Sequence, residues 1–336
     1  MPVSTARTRA LLTRLTERLN GPMRRAFLKA LDTITANMST AEIERFLVRG
    51  DVAGAVKAVL DAGEVGARNI LRQQFSTALI AGASTTLRNN AVGKVFGIQF
   101  QNVLAGSPRA AAAMDRLDLQ FLPRVFDDTR DTLLQFYRDG LANGVNPRTL
   151  AQETRSFVGL SPYDLDIAGS YQSELQGGDF ASALSRQLRD ARFDGLLKRA
   201  EAEGRDLTNA EVDQLSGRYV ERLVKWRAET WSRTASLNAA RESQLVAWQE
   251  AMDVAGFQED EVTKEWVTTM DGREREEHAL ANGITVGIDE EFPVDGGVQT
   301  PGEGVYNCRC TFVVRVIPTQ AKDQSTFFDA RNFLSQ

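Results

Sequence analysis

Histidine occurs once in this 336-residue chain and cysteine twice, and these scarcities exclude much chemistry. A zincin needs two histidines on one helix, and only His278 is present. A zinc deaminase needs His-x-Glu and Pro-Cys-x-x-Cys. Here His278 is followed by Ala279 and Leu280, and the cysteines stand as Cys308-x-Cys310. Two cysteines build no disulfide framework, and a bridge across one intervening residue is strained, so a reducing compartment is expected. No run approaches the roughly 20 apolar residues that span a bilayer. Positive charge is not in excess either: 40 basic against 45 acidic side chains leave a net charge of −5, unlike a protein built mainly to grip nucleic acid. A Ser/His/Asp order, a phosphate-cradling glycine loop, a nucleotide fingerprint, internal repeats and low-complexity tracts are also missing.

What is there reads as an ordinary globular composition, 42% hydrophobic and 25% charged, in a chain long enough for two or three packing units. The first twenty residues carry arginines and hydroxyls with no acid before Glu17, as transit peptides do. They are read as an amphipathic surface helix with Leu11, Leu12, Leu15 and Leu19 on one side. Apolar residues recur at three and four through about three-quarters of the sequence. The predicted class is therefore α+β, predominantly α: an extended helical platform with a small C-terminal α+β domain of a short sheet plus one helix. The expected divisions are a helical region 1–120, a second helical region 121–256, the α+β domain 257–318 and a tail 319–336. Breaks fall at Asp51 and Ser107-Pro108, and Gly144-Val145-Asn146-Pro147 is a turn before a capped helix. Residues 161–217 are polar and rich in Asp, Ser and Gly, and are read as an inserted, peripheral helical segment, with the insertion at about 165–218. The basic residues of 186–227 alternate with acids, a solvated helix face rather than a DNA-facing patch.

Residues 219–255 read as one long helix. Trp231, Thr234, Asn238, Arg241, Leu245 and Trp248 share its buried stripe. A buried amide and guanidinium need acceptors, so Asn238 and Arg241 are expected to reach across to the C-terminal domain. There Val262–Thr268 favours a strand, Asp271 and Glu274 form a capping box for a helix ending at Asn282-Gly283, and residues 284–288 form a second strand. Residues 288–304 are a Gly-, Pro- and acid-rich loop. A third strand is expected to carry Tyr306, Cys308, Cys310, Phe312 and Val314 on one side. His278, Cys308 and Cys310 then supply three zinc ligands, with Asp271 or water as a fourth. The bland alternative is a hydrogen-bonded histidine beside two buried thiols.

These residues carry a resemblance. Trp266, Thr268, Asp271, Arg273, Arg275 and His278, followed by Asn307-Cys308-Arg309-Cys310, closely resemble the C-terminal domain of the Mu F-like phage minor head, or head morphogenesis, proteins. Upstream, Arg233, Thr234, Asn238 and Arg241 look like that family's preceding helix, and the resemblance covers roughly 120–318. It implies a minor capsid protein at the portal vertex or capsid interior, made in the host cytoplasm and acting in prohead assembly and in DNA packaging or ejection. The implied partners are portal, major capsid or scaffolding protein, with transient contact to packaged DNA and no membrane. Some members have Cys-x-x-Cys where this chain has Arg275-x-x-His278, so either three ligands still hold a metal or Arg275 replaces it with hydrogen bonds. Ala235 stands where the family has an acid, which leaves that ion pair unmade. The competing readings are a zinc-dependent hydrolase built on His278, Cys308 and Cys310, and an internal DNA-binding virion protein. In the tail, Phe327, Phe328, Phe333 and Leu334 offer an apolar hook for a partner.

Overall fold

A computed structural model describes residues 5–88, 106–255, 257–270 and 272–316. Ten helices precede the sheet among them: α1 (Thr5–Asn37), α2 (Thr40–Val48), α3 (Val52–Asp61), α4 (Glu64–Arg88), α5 (Pro108–Ala142), α6 (Pro147–Phe157), α7 (Pro162–Gln176), α8 (Phe180–Ser185), α9 (Asp194–Glu203) and α10 (Asn209–Ala255). Then come β1 (Val262–Val267), α11 (Glu276–Leu280), β2 (Thr285–Gly287) and β3 (Thr311–Val316). The protein is predominantly helical with a small antiparallel sheet, as its periodicity predicts. None of the described helices is long and apolar enough to cross a membrane.

The chain divides into two compact units. One comprises residues 1–25, 72–121 and 232–336, the other residues 26–71 and 122–231.

In the second unit the helix boundaries follow local chemistry. Asp51 caps α3 by accepting from the Gly54 amide at 2.8 Å, and Asn146 caps α6 by accepting from Arg148 at 2.9 Å, with Pro147 preset for the first turn. The polar segment after Ser161 does more than decorate the platform. Tyr171 and Leu175 of α7, Phe180 of α8, Leu197 of α9 and Val212, Leu215, Tyr219 and Leu223 of α10 form one buried cluster, and the Tyr171 and Tyr219 rings stack at 4.3 Å. The same residues explain why α10 begins at Asn209 rather than at Tyr219. Gly217 costs the helix about 1 kcal/mol relative to alanine, but apolar residues at helical spacing on both sides of it are buried. Thr208 and Glu211 start the helix with a reciprocal cap, at 2.8 and 3.3 Å.

The basic residues of this segment are paired. Arg186 meets Glu174, Arg189 meets Asp194, Arg192 and Arg222 meet Asp190, and Arg205 meets Glu211. Such part-exposed pairs each contribute little. Arg227 is different, because its own side chain is largely buried, at 17% exposure, along with its partner Asp164. Asp164 takes Arg227 Nη1 at 3.1 Å while completing the capping box of α7 with Ser161. Asp164→Ala is therefore expected to destabilise this unit by about 1–2 kcal/mol, since it removes a cap and one of the two carboxylates around a largely buried guanidinium, leaving Asp128 as the other. A urea titration of the two proteins measures it, and a loss under about 0.5 kcal/mol would show the pair to be as weak as a surface one.

In the first unit, α4, α5 and α10 meet through small residues: Ala83, Ala110, Ala113, Ala247 and Ala251 are all buried. Gly82 lets α4 approach closely, since a Cβ there would lie 2.0 Å from Ser243 Oγ. The sheet has the order β2-β1-β3, with Lys264 opposite Val286 on one side and Val314 on the other. Trp266 and Phe312 are fully buried against Leu245, Trp248 and Met252 of α10.

Lys264 is the exception on the central strand. It is fully buried, and its Nζ donates to Gln299 O at 2.9 Å and Oε1 at 3.0 Å while lying 5.2 Å from the Phe292 ring centre. Burial pulls its pKa down to about 8, against the opposing pull of Glu242 and Asp289. The unfolded chain thus binds more protons than the folded one above about pH 8, and the contribution of Lys264 to stability rises with pH until the unfolded lysine also titrates. Measured as urea midpoints, the difference between wild type and Lys264→Met should shift in favour of wild type as pH rises through that window. A pH-independent difference would contradict the assignment.

Candidate functional site

The stripe expected on α10 is buried as predicted, and its polar members have partners in the C-terminal loops. Arg241 is fully buried, and burial lowers its pKa. Its Nη1 donates to Asn238 Oδ1 at 2.6 Å, and its Nη2 donates to Cys308 O at 2.9 Å and to Cys310 O. Asn238 Nδ2 in turn donates to Gly302 O at 2.8 Å and to Gln120 Oε1 at 3.0 Å, and Gln120 Nε2 donates to the same carbonyl. Thr234 Oγ1 accepts from the Asn307 amide at 3.5 Å. Next to Arg241 in sequence, Glu242 accepts from Thr300 Oγ1 at 2.9 Å and from Arg116.

Gly302 is required where it stands. Its φ is +87°, and a Cβ there would lie 2.2 Å from Arg241 Nη1. Gly302→Ala is expected to cost about 2–3 kcal/mol, combining a left-handed alanine with displacement of the guanidinium. Thermal unfolding of the variant measures this, and an unchanged midpoint would mean that the guanidinium is free to move away.

The two cysteines are buried, but they do not lie on β3 as the alternation predicted. The strand begins at Thr311. Asn307 has φ +57°, a left-handed conformation that asparagine tolerates better than most residues and that interrupts extended backbone. The Cys308 and Cys310 carbonyls face Arg241 instead of a neighbouring strand. Alternate residues of a regular strand hold their side chains too far apart to share one metal, and this bend brings the ligand atoms of Cys308 and Cys310 within 4.8 Å. The expected helix is also shorter. Its first residue is Glu276, with Arg275 at the N-cap position, so Glu274 precedes it and the Asp271/Glu274 box is not its cap. Asp271 lies outside the described residues, as do Phe327, Phe328, Phe333 and Leu334.

His278 is buried on α11, edge-on to Trp266 at 5.3 Å. Its Nδ1 lies 3.5 Å from Cys308 Sγ and 3.6 Å from Cys310 Sγ. Its Nε2 lies 2.8 Å from Asp295 Oδ2. Thr268 ties the helix to β1, with Oγ1 donating to the His278 carbonyl and accepting from Trp266 Nε1 at 3.1 Å. The Cys308 thiol is pulled down to about 5 by a hydrogen bond from Cys310, helped by the Arg241 charge and His278, and the same bond pushes Cys310 up.

The donor set fits a thiophilic cation. Zinc–nitrogen and zinc–sulfur bonds of about 2.0 and 2.3 Å at a tetrahedral angle hold nitrogen and sulfur about 3.6 Å apart, and the imidazole and both thiols already stand at that separation. The three ligand atoms all lie within 4.8 Å of one another. A small recess bordered by Arg273, Glu274, Arg275 and Arg309 adjoins them and leaves room for a fourth ligand.

Of the motif residues singled out in the sequence, Trp266, His278, Cys308, Cys310, Thr234, Asn238 and Arg241 come together. Arg275 donates to Tyr306 O at 3.1 Å on the rim, Arg273, Asn307 and Arg309 are exposed, and Arg233 faces outward from α10. Sequence reading missed Asp295, Gly302 and Gln120. Asp295 had one local signal, since an aspartate before Gly296-Gly297 marks a turn that accepts a left-handed residue, and its φ is +52°. Nothing in its spacing pointed to His278.

A family model described as phage Mu protein F like protein matches residues 165–313, a span that contains nearly all of this cluster. No curated protein and no solved structure matches the chain.

Proposed function

We infer from the match of residues 165–313 to the phage Mu protein F like family model that the chain is a minor component of a tailed-phage head, acting in prohead assembly. The family match is the observation that carries this reading. The described architecture is consistent with such a role: α10 runs through 47 residues and ends in a small domain whose loops it holds by buried hydrogen bonds. The partners on this reading are portal, major capsid or scaffolding protein at the portal vertex or capsid interior, and the site is the virion. Contact with packaged DNA is transient, in keeping with the net charge of −5. The Cys/His cluster closes the domain and performs no chemistry on a substrate.

Deleting the gene from the phage that encodes the chain tests the proposal. The expected result is loss or malformation of heads in electron micrographs, restored by the wild-type gene in trans. Normal, DNA-filled heads in its absence would count against an assembly role.

A further inference from the structure

We propose that Asp295 is the positioning residue of a zinc site formed by His278, Cys308 and Cys310, and that it presents the Nδ1 atom of His278 to the metal. The inference is independent of the role in the head. Its starting point is a tautomer argument. An ionised carboxylate can only accept hydrogen bonds. The 2.8 Å contact between His278 Nε2 and Asp295 Oδ2 therefore places the imidazole proton on Nε2. In the neutral ring the lone pair is then on Nδ1, the atom that faces both sulfurs. A carboxylate behind a metal-bound histidine fixes its orientation and raises its basicity, and losing such a partner costs about 10–100-fold in metal affinity.

The surroundings hold the other members in place. Trp266 packs edge-on to the ring, and Thr268 secures the backbone of His278. Arg241 holds the Cys308 and Cys310 carbonyls, which sets the bend that brings the two thiols together. Its charge also offsets part of the negative charge that two thiolates bring to a buried site. Asp295 reaches the ring from a left-handed turn residue in the loop between β2 and β3, so the loop is tied to α11 through this contact.

The test uses the full chain. Asp295→Asn suits the turn, because asparagine tolerates positive φ, and it removes the charge while keeping the shape. Zinc affinity is measured by competition with a chromogenic chelator. Cobalt substitution, read by thiolate-to-cobalt charge-transfer absorption, reports the ligand set. The single histidine allows a third readout, since selective ¹⁵N labelling gives one imidazole and reveals its tautomer directly. The proposal expects one zinc per chain, a cobalt–thiolate band weakened in Cys308→Ser and lost in the Cys308→Ser, Cys310→Ser double variant, an Nε2-protonated ring in the metal-free wild type, and zinc binding at least tenfold weaker in Asp295→Asn. A wild-type chain that binds no zinc overturns the metal site. Zinc binding that is equally tight in Asp295→Asn overturns the role of Asp295 and leaves the metal site standing. A ring protonated on Nδ1 and not on Nε2 in the wild type overturns the positioning argument without recourse to any variant.

Discussion

Arg241→Ala is expected to destabilise the unit that contains the sheet by about 3–5 kcal/mol, because it leaves several buried acceptors unpaired, at about 1–3 kcal/mol each. The substitution takes away every donor that satisfies Cys308 O and Cys310 O from the α10 side, and it leaves Asn238 Oδ1 without its guanidinium. It also empties the space of one of the largest fully buried side chains. Arg241→Lys should recover only part of the loss, because a single ammonium cannot reproduce a fork that reaches Asn238 with one nitrogen and two carbonyls with the other. Urea unfolding followed by tryptophan fluorescence suits the test, since Trp248 and Trp266 belong to the affected core. A loss below about 1 kcal/mol would mean that water can take the place of the guanidinium, and that the helix does not hold the loop.

Zinc is expected to be the second large lever. A ligand that binds only the folded chain stabilises it by about 4 kcal/mol when its free concentration is a thousandfold above its dissociation constant. If His278, Cys308 and Cys310 hold zinc, adding it to metal-free protein raises the melting temperature, and a chelator reverses the rise. The effect disappears in the Cys308→Ser, Cys310→Ser double variant. It also weakens as pH falls, because the metal competes with protons for the thiolates and the imidazole. The two thiols are coupled, one lowered and the other raised by the hydrogen bond between them, so zinc must displace the proton that the pair retains. A melting temperature indifferent to zinc at neutral pH would leave the cluster as a metal-free hydrogen-bonded core.

Much of this architecture was legible because it is encoded locally. Asn146-Pro147 marks a helix start through side-chain capping and a preset φ. The stripe from Trp231 to Trp248 is a matter of helical spacing, and burial follows it even where the residues are polar. The same polarity announced that α10 must meet acceptors, although it could not identify Gly302 O or the two cysteine carbonyls. The core of the helical segment after Ser161 is not legible in sequence, because its apolar residues are dispersed among polar ones, each helix supplying only a few. Their burial depends on α7 to α9 converging on the start of α10, a tertiary effect that no single window contains.

The candidate site shows the same division. His278, Cys308 and Cys310 stood out by scarcity, and the structure brings them together. Alternation then suggested a strand through both cysteines. That pattern was real, but a left-handed Asn307 and the pull of Arg241 on two carbonyls override it. Asp295 lies 17 residues from His278 in sequence, so its role emerges only when the loop folds back. Lys264 reads as an ordinary polar residue on an alternating strand, and nothing nearby in sequence indicates that Gln299 will receive its ammonium.

The central claim, that this chain is built into phage heads, is tested most directly by counting it there. Proheads purified from cells producing the phage that encodes the chain can be analysed by quantitative mass spectrometry against the major capsid protein. The account predicts a reproducible, substoichiometric number of copies per particle that persists through high-salt washing. Absence from particles, with the chain abundant and soluble in the same cells, would contradict it.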